Sequence, residues 1–383
     1  MDWRRARELY EKVGEKRFTM EMINRINDPK FSTEEFSLKG LYEAVGSPNL
    51  LKEREIGNRI LKESDLEVSE ALDSSAFPKI TGALISKVIQ EAYELEYGAG
   101  KQLVTVIPSS VKEETIVGFA DDDMLQEVGE GTEYQAGSIS EKYHLIKNRK
   151  WGRKVSLTEE MIKFDQTGQM MMRAARVGEA AKVSQDREIM DKVVENTATG
   201  EYAAWRPAGT ATTLYSDTST DPYSDSTLDN VITDVLADET DLNSAFTNAA
   251  LFTDEVNENP IHWTPKILLV GSALAGTAER LLNSPSSLMA TYNAGVKNPW
   301  YGKGVQLVVS PWVDNMKSAL YWFIGDFKKQ FVFTEVFPLQ TFRAKPGSED
   351  EFNRDVIYQV KARWMGGCGA ISNRYVIKST GAG

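Results

Sequence analysis

The chain has 383 residues, 41% of them hydrophobic and 26% charged, with a formal net charge of -12. At roughly 150 residues per domain, this length suggests about two or three domains and enough chain for a sizeable core. One cysteine, Cys368, excludes an intrachain disulfide, and the two histidines, His144 and His262, form no Cys/His cluster with metal-ligand spacing. Residues 1–20 are charged throughout, which reads as no signal peptide. The longest uncharged apolar stretch, Ile267 to Ala278, falls short of the roughly 18 to 20 residues that span a bilayer.

The acidic balance argues against a protein that wraps nucleic acid, because gripping phosphates requires clustered Lys and Arg. The charge is also unevenly placed. Asp191 to Glu258 holds 14 acids against Lys192 and Arg206, whereas Glu141 to Arg187 holds 11 bases against six acids.

In chain order, residues 1–80 read as a polar helical arm, broken at Asn27-Asp28-Pro29 and Gly46-Ser47-Pro48, its last stretch being Leu50 to Leu61. Its apolar surface looks too small for an independent core. Leu84, Ile85, Val88, Ile89, Ala92 and Leu95 recur at helical period over 82–97, and Tyr97-Gly98-Ala99-Gly100 supplies the stop. Short β-branched runs follow at Leu103 to Pro108 and Thr115 to Phe119, then an acidic turn and a glycine pair. Tyr143 to Leu157 alternates polar and apolar residues, so two extended arms predict a long β-hairpin.

Ser156-Leu157-Thr158-Glu159 fits a capping box and predicts a helix start. Beyond Asp165-Gln166-Thr167-Gly168, a second helical stretch runs to about Glu195, with Ala174, Ala175, Gly178 and Ala181 as a small-residue stripe for close packing. A Thr/Ser/Asp-rich excursion follows over 197–226. Leu228 to Leu236 and Ser272 to Leu282 predict helices, and Lys266 to Val270 a buried strand. The remainder reads as strands at 305–309, 319–325, 331–336, 356–364 and 370–378.

Candidate chemistry is sparse. Gly366-Gly367-Cys368-Gly369-Ala370 has the glycines of a nucleophile elbow, but no histidine follows Cys368, and a tight glycine turn between strands is the better reading. Tyr97 to Lys101 fails the phosphate-loop pattern at Leu95 and Gln102. Asp121, Asp122 and Asp123 lack the ligand spacing of a calcium loop and read as a solvated turn. Met170 to Met172 point in three directions around a helix, as packing residues do. His144 and His262 read as structural or exposed. No catalytic constellation, cofactor site or metal site emerges. What stands out is an acidic arm (Glu113, Glu114, Asp121, Asp122, Asp123, Glu127, Glu130, Glu133) preceding a basic one (Lys142, Lys147, Arg149, Lys150, Arg153, Lys154). A hairpin this long has too little core of its own and is expected to lie on another subunit.

The order of parts resembles the major capsid protein of tailed bacteriophages, an α+β fold of the Hong Kong 97 type, and within it the head subunit of Mu-like phages. The stretches that carry the likeness are Val155 to Met161 with Asp165-Gln166, Lys266 to Val270 with its helix, and the return strands over 356–378. It spans roughly residues 80–380. Residues 1–80 match no motif of the family and stay the helical arm read above, and the resemblance implies a first P-domain part over 81–195. That part would contain an E-loop at about 110–156 and a spine helix at about 169–195. An axial A-domain over 196–340 and P-domain return strands over 341–383 would complete the subunit.

The resemblance also implies inter-subunit contact through Lys142, Lys147, Arg149, Lys150, Arg153 and Asp121 to Asp123. A P-domain loop with Arg363, Trp364, Gly366 and Gly367 would meet other subunits. The implied function is a non-enzymatic shell around a double-stranded DNA genome, made of hexamers and pentamers of this chain in the host cytoplasm and residing in the virion. A portal, a scaffold or protease, a decoration protein and DNA held without sequence specificity would be its partners, with no membrane and no cofactor. An encapsulin-like cellular compartment is the alternative on the same fold.

Overall fold

Phe18, Met22 and Ile26 recur at four-residue spacing, one per helical turn, and each is shielded from solvent. They lie on α2 (Glu15–Asn27), which stands between α1 (Trp3–Val13) and α3 (Leu38–Val45) in a computed structural model. The structure describes residues 3–28, 31, 36–45, 76–94, 98–120, 140–158, 167–196, 200–216, 219–220, 227–253, 260–288, 296–343 and 356–382. The expected helix at Leu50 to Leu61 lies outside them. The chain divides into two units. One comprises Met1–Tyr97, Trp151–Val183 and Pro338–Trp364, the other Gly98–Lys150, Ser184–Phe337 and Met365–Gly383.

In the first unit the arm has no core of its own and contributes to a shared one. Phe18, Ile26 and Leu41 join Phe77, Leu84 and Ile89 of α4 (Ala76–Glu94) in one apolar cluster, which Val155, Val177, Leu339 and Val360 complete. A narrow stripe suffices because α4 supplies the opposing face. Lys87 of α4 closes the end of α2 by donating to Ile26 O at 2.6 Å and Asp28 O at 3.0 Å, which satisfies carbonyls that the helix leaves open.

The stripe of small residues lies on the long helix that follows the hairpin region, Thr167–Val193. A Cβ on Gly178 would stand 2.3 Å from Ile89 O and 2.9 Å from the Ala92 Cβ, so glycine is what lets this helix lie on α4. The helix expected from Ser156 does not begin there. Ser156 to Thr158 close a strand, Arg149–Thr158, and residues 159–166 lie outside the described set. A capping box needs the chain to leave an extended segment, and here Ser156, Leu157 and Thr158 still belong to a strand that lies beside Val356–Ala370.

The second unit opens with α5 (Gly100–Leu103) and β1 (Thr105–Pro108). Its hairpin is β2 (Glu113–Ala120) and β3 (Ser140–Lys147). The expected second arm therefore ends at Lys147. The next strand, β4 (Arg149–Thr158), joins a different sheet, and Asn148 between them belongs to neither strand. The long helix Thr167–Val193 is α6. Beyond it come β5 (Ser219–Thr220), β6 (Thr227–Leu228) and β7 (Val231–Ile232). The helix expected over 228–236 is thus extended chain. Asn230 enforces this. Buried, its side chain accepts from Ser216 N at 2.9 Å and donates to Leu214 O and Asn373 O, both at 2.9 Å. The helix instead is α7 (Glu239–Ala249), where Asp238 and Asp241 form a capping box.

β8 (Ile267–Val270), buried at every position, leads into α8 (Ala275–Asn283) and then β9 (Gln306–Val309), which runs parallel to β8 as such a crossover requires. After α9 (Pro311–Met316), β10 (Trp322–Gly325) lies antiparallel to β8. Following α10 (Phe327–Gln330), β11 (Phe331–Arg343), β12 (Val356–Ala370) and β13 (Val376–Ser379) complete the chain. The five-stranded order is β7-β13-β10-β8-β9. Leu268, Val270, Trp322, Ile324 and Ile377 fill its core with Trp300 and Leu281. In a separate sheet β1 pairs parallel with the start of β11, Thr105 opposite Val332.

Candidate inter-subunit surface

The hairpin keeps one antiparallel register from Glu113 opposite Lys147 to Ala120 opposite Ser140. Opposed residues share a face, so Glu114, Ile146, Ile116 and His144 form one side and Glu113, Lys147, Val117 and Tyr143 the other. The first side turns inward, and His144 and Ile146 are buried. Pro207 bridges to His144, Leu145 N donates to Arg206 O at 3.2 Å, and Ala208 N donates to Tyr143 O at 2.9 Å. Positive φ at both Ala208 (50°) and Gly209 (79°) turns that segment back. The other side leaves Val117 half exposed.

At the hairpin root the two charge signs meet within one chain. Lys147 Nζ lies 3.6 Å from the Glu113 carboxylate and is salt-bridged to Glu201. Arg149 pairs with the buried carboxylate of Glu188. Both cations face the Tyr202 ring, at 5.9 Å for Lys147 and 4.5 Å for Arg149, and buried Lys192 donates to Tyr202 O. Two of the basic residues expected at a neighbouring subunit are therefore engaged at home. Lys142 sits half-buried opposite Gly118, while Lys150 and Arg153 are exposed on β4. Asp121, Asp122 and Asp123 lie outside the described residues.

Residues 363–369 are not a loop, and the glycines are not a turn. β12 runs straight through to Ala370. Arg363 lies over the Phe342 ring at 4.3 Å, and buried Trp364 stacks on Trp151 with centroids 6.0 Å apart. A Cβ on Gly366 would meet Thr334 O at 2.6 Å, on Gly367 Lys147 O at 2.4 Å, and on Gly369 the Ile146 side chain at 2.8 Å. The glycines let main chains cross at close range. Cys368 between them is buried, and desolvation, with Glu188 nearby, pushes its thiol far above the usual range. Native protein is expected to resist a thiol reagent at pH 8 that modifies it fully after denaturation. Rapid native labelling would contradict this burial.

The glycines at 98 and 100 serve a carboxylate of the chain itself. Gly98 has φ 107°, Gly100 N donates to Asp186 Oδ1 at 2.5 Å, and a Cβ at either position would collide with that side chain. Sequence reasoning missed Glu195. It adopts φ 55°, its carboxylate accepts from Leu214 N and Tyr215 N, and its carbonyl accepts from Lys317 Nζ at 2.9 Å. Burial raises its pKa, which those N–H groups, Lys378 and Lys317 partly offset. No spacing in the sequence marks it. Among the described residues, no group of three His, Cys, Asp or Glu could hold a metal ion, and no helix is long and apolar enough to cross a membrane.

A family model described as "Phage capsid protein" matches residues 144–379, from β3 to the end of β13. No curated protein matches by sequence. Among solved structures, the capsid of cyanophage P-SCSP1u aligns at a TM-score of 0.50 with 13% identity, over 74% of this chain and 88% of that one. A structure from Gordonia phage Cozz gives 0.46 and 12%, over 75% and 89%. The virus-like particle of Pyrococcus furiosus gives 0.42 and 8%, over 77% and 97%. The mixed helix and sheet architecture is that of the Hong Kong 97-type major capsid proteins. With the family model spanning more than half of its length, the chain belongs to the phage capsid protein family.

Proposed function

We propose that this chain is the major head subunit of a tailed phage and that copies of it close into a shell of hexamers and pentamers around double-stranded DNA. The family match from His144 to Ser379 carries the reading. The β2–β3 hairpin acts as the E-loop laid on a neighbouring subunit, helix α6 as the spine of the P-domain, and the five-stranded sheet as the core of the axial A-domain. Strand β12 presents Arg363 to a further subunit. Contact across the overlap runs through exposed Lys150 and Arg153, with Lys142, while Lys147 and Arg149 hold the hairpin root. The order of elements over 80–380 supports a place near the head subunits of Mu-like phages. A portal, a scaffold or protease and packaged DNA are the partners this role requires.

A ring-forming subunit uses heterologous contacts that repeat until they close. Light scattering at assembly-permissive ionic strength is therefore expected to report megadalton particles, with closed outlines by negative-stain microscopy. A persistent monomer, in the presence of any required scaffold, would remove the proposal.

A further inference from the structure

Between β3 and β4 stands one residue that belongs to neither strand, Asn148, and it is 3% exposed. Its main-chain N–H donates to Lys112 O at 2.9 Å. Its side-chain Nδ2 donates to Ser109 Oγ at 3.0 Å and to Val111 O at 2.8 Å. Its Oδ1 accepts from Thr334 Oγ1 at 2.6 Å. Ser109 Oγ in turn donates to Glu114 Oε2 at 2.5 Å. The amide orientation follows from this chain: Ser109 has given its proton to Glu114 and must accept, and the Val111 carbonyl can only accept. Thr334 has one hydroxyl proton, and Asn148 is its nearer acceptor, with Gly367 O at 3.1 Å.

One buried side chain thus ties the first hairpin strand, through Ser109 and Glu114, to β11 through Thr334. Gly367 lets the same spot lie against β12, since a Cβ there would stand 2.4 Å from Lys147 O. A two-stranded ribbon has little of its own to hold a direction, so the direction is set where it meets the rest of the unit, along 206–208 and at its root. No neighbouring amino acid type reproduces the set. Aspartate lacks the two donors, and glutamine adds a methylene in a packed site.

We propose that Asn148 is the positioning residue of the hairpin. Its hydrogen bonds fix the direction in which β2–β3 leaves the second unit, and through that direction the closure geometry of the shell. The second clause rests on the reading of the hairpin as an arm laid on a neighbouring subunit.

The test places spin labels at Val117→Cys and Leu251→Cys, which are 50% and 77% exposed in the parent chain, and measures their separation in the unassembled subunit. Cys368 is buried and stays unlabelled. The parent and Thr334→Ser, which keeps the hydroxyl, are expected to give one narrow distance peak and shells of one diameter. Thr334→Val and Asn148→Ala are expected to lose the narrow peak and to give open or mixed-diameter particles, and Thr334→Val decides if Asn148→Ala fails to fold. A narrow peak retained in both variants overturns the positioning role. A lost peak with shells of parental diameter overturns the link to closure. A parent that never assembles overturns the arm reading and the closure clause with it, while the distance in the soluble subunit still decides what Asn148 does.

Discussion

Gly178→Ala is expected to destabilise the first unit, although alanine in a helix interior ordinarily gains close to 1 kcal/mol over glycine. The added methyl would stand 2.3 Å from Ile89 O and 3.1 Å from Tyr93 N, both main-chain atoms of α4 that no rotamer change can move. Overpacking of this kind costs about 1–3 kcal/mol, so the sign of the usual substitution reverses. Gly168→Ala on the same helix is the control, because nothing lies within 4 Å of the added atom. Urea unfolding of the two variants beside the parent measures both. Equal midpoints for the two would mean that α6 does not lie on α4 at this distance.

Arg149→Met carries the other large expected effect. Glu188 has a side chain 6% exposed, and its partner guanidinium is 28% exposed. Removing one member of a buried pair costs about 3–5 kcal/mol because the other charge stays behind, and the partial exposure of Arg149 puts the expected loss near the lower end. The double variant Arg149→Met with Glu188→Leu is expected to recover most of it, since an apolar pair of similar volume leaves no charge stranded. Additive losses in the cycle would show that the two side chains act separately. Thermal unfolding at constant ionic strength reads both outcomes.

The parts of this fold that were legible in the sequence are those where one local pattern decides the structure. Lys266 to Val270 is an uninterrupted apolar run after its first residue, and it became a strand buried on both faces. The Ala174 to Ala181 stripe at helical spacing pointed to close packing, and Gly178 meets α4 there. Elsewhere a distant partner overrode a correct local signal. Ser156 and Glu159 have capping-box chemistry, yet Ser156 sits in a strand because β12 is available to pair with β4. Asn230 straightens 228–236 through hydrogen bonds to Leu214 and Asn373, one 16 and the other 143 residues away. The glycines of 366–369 carried a turn signal, but they answer main-chain atoms of Lys147 and Thr334, which no reading of their own neighbourhood contains.

For the surface, the acidic arm followed by a basic one was visible, while its use was not. Lys147 and Arg149 look like Lys150 and Arg153 in sequence. The difference arises from Glu201, Tyr202 and Glu188, brought alongside by the excursion and by α6.

The first unit is assembled from three separated stretches of chain, and its apolar cluster needs Leu339, Val360 and Ala362 as well as Phe18 and Phe77. During synthesis α1, α2 and α3 emerge well before their partners on β11 and β12. Contacts of such long sequence separation are slow to form and leave apolar surface open in the meantime. A prematurely terminated chain would never cover that surface, so it would remain a target for chaperones and proteases.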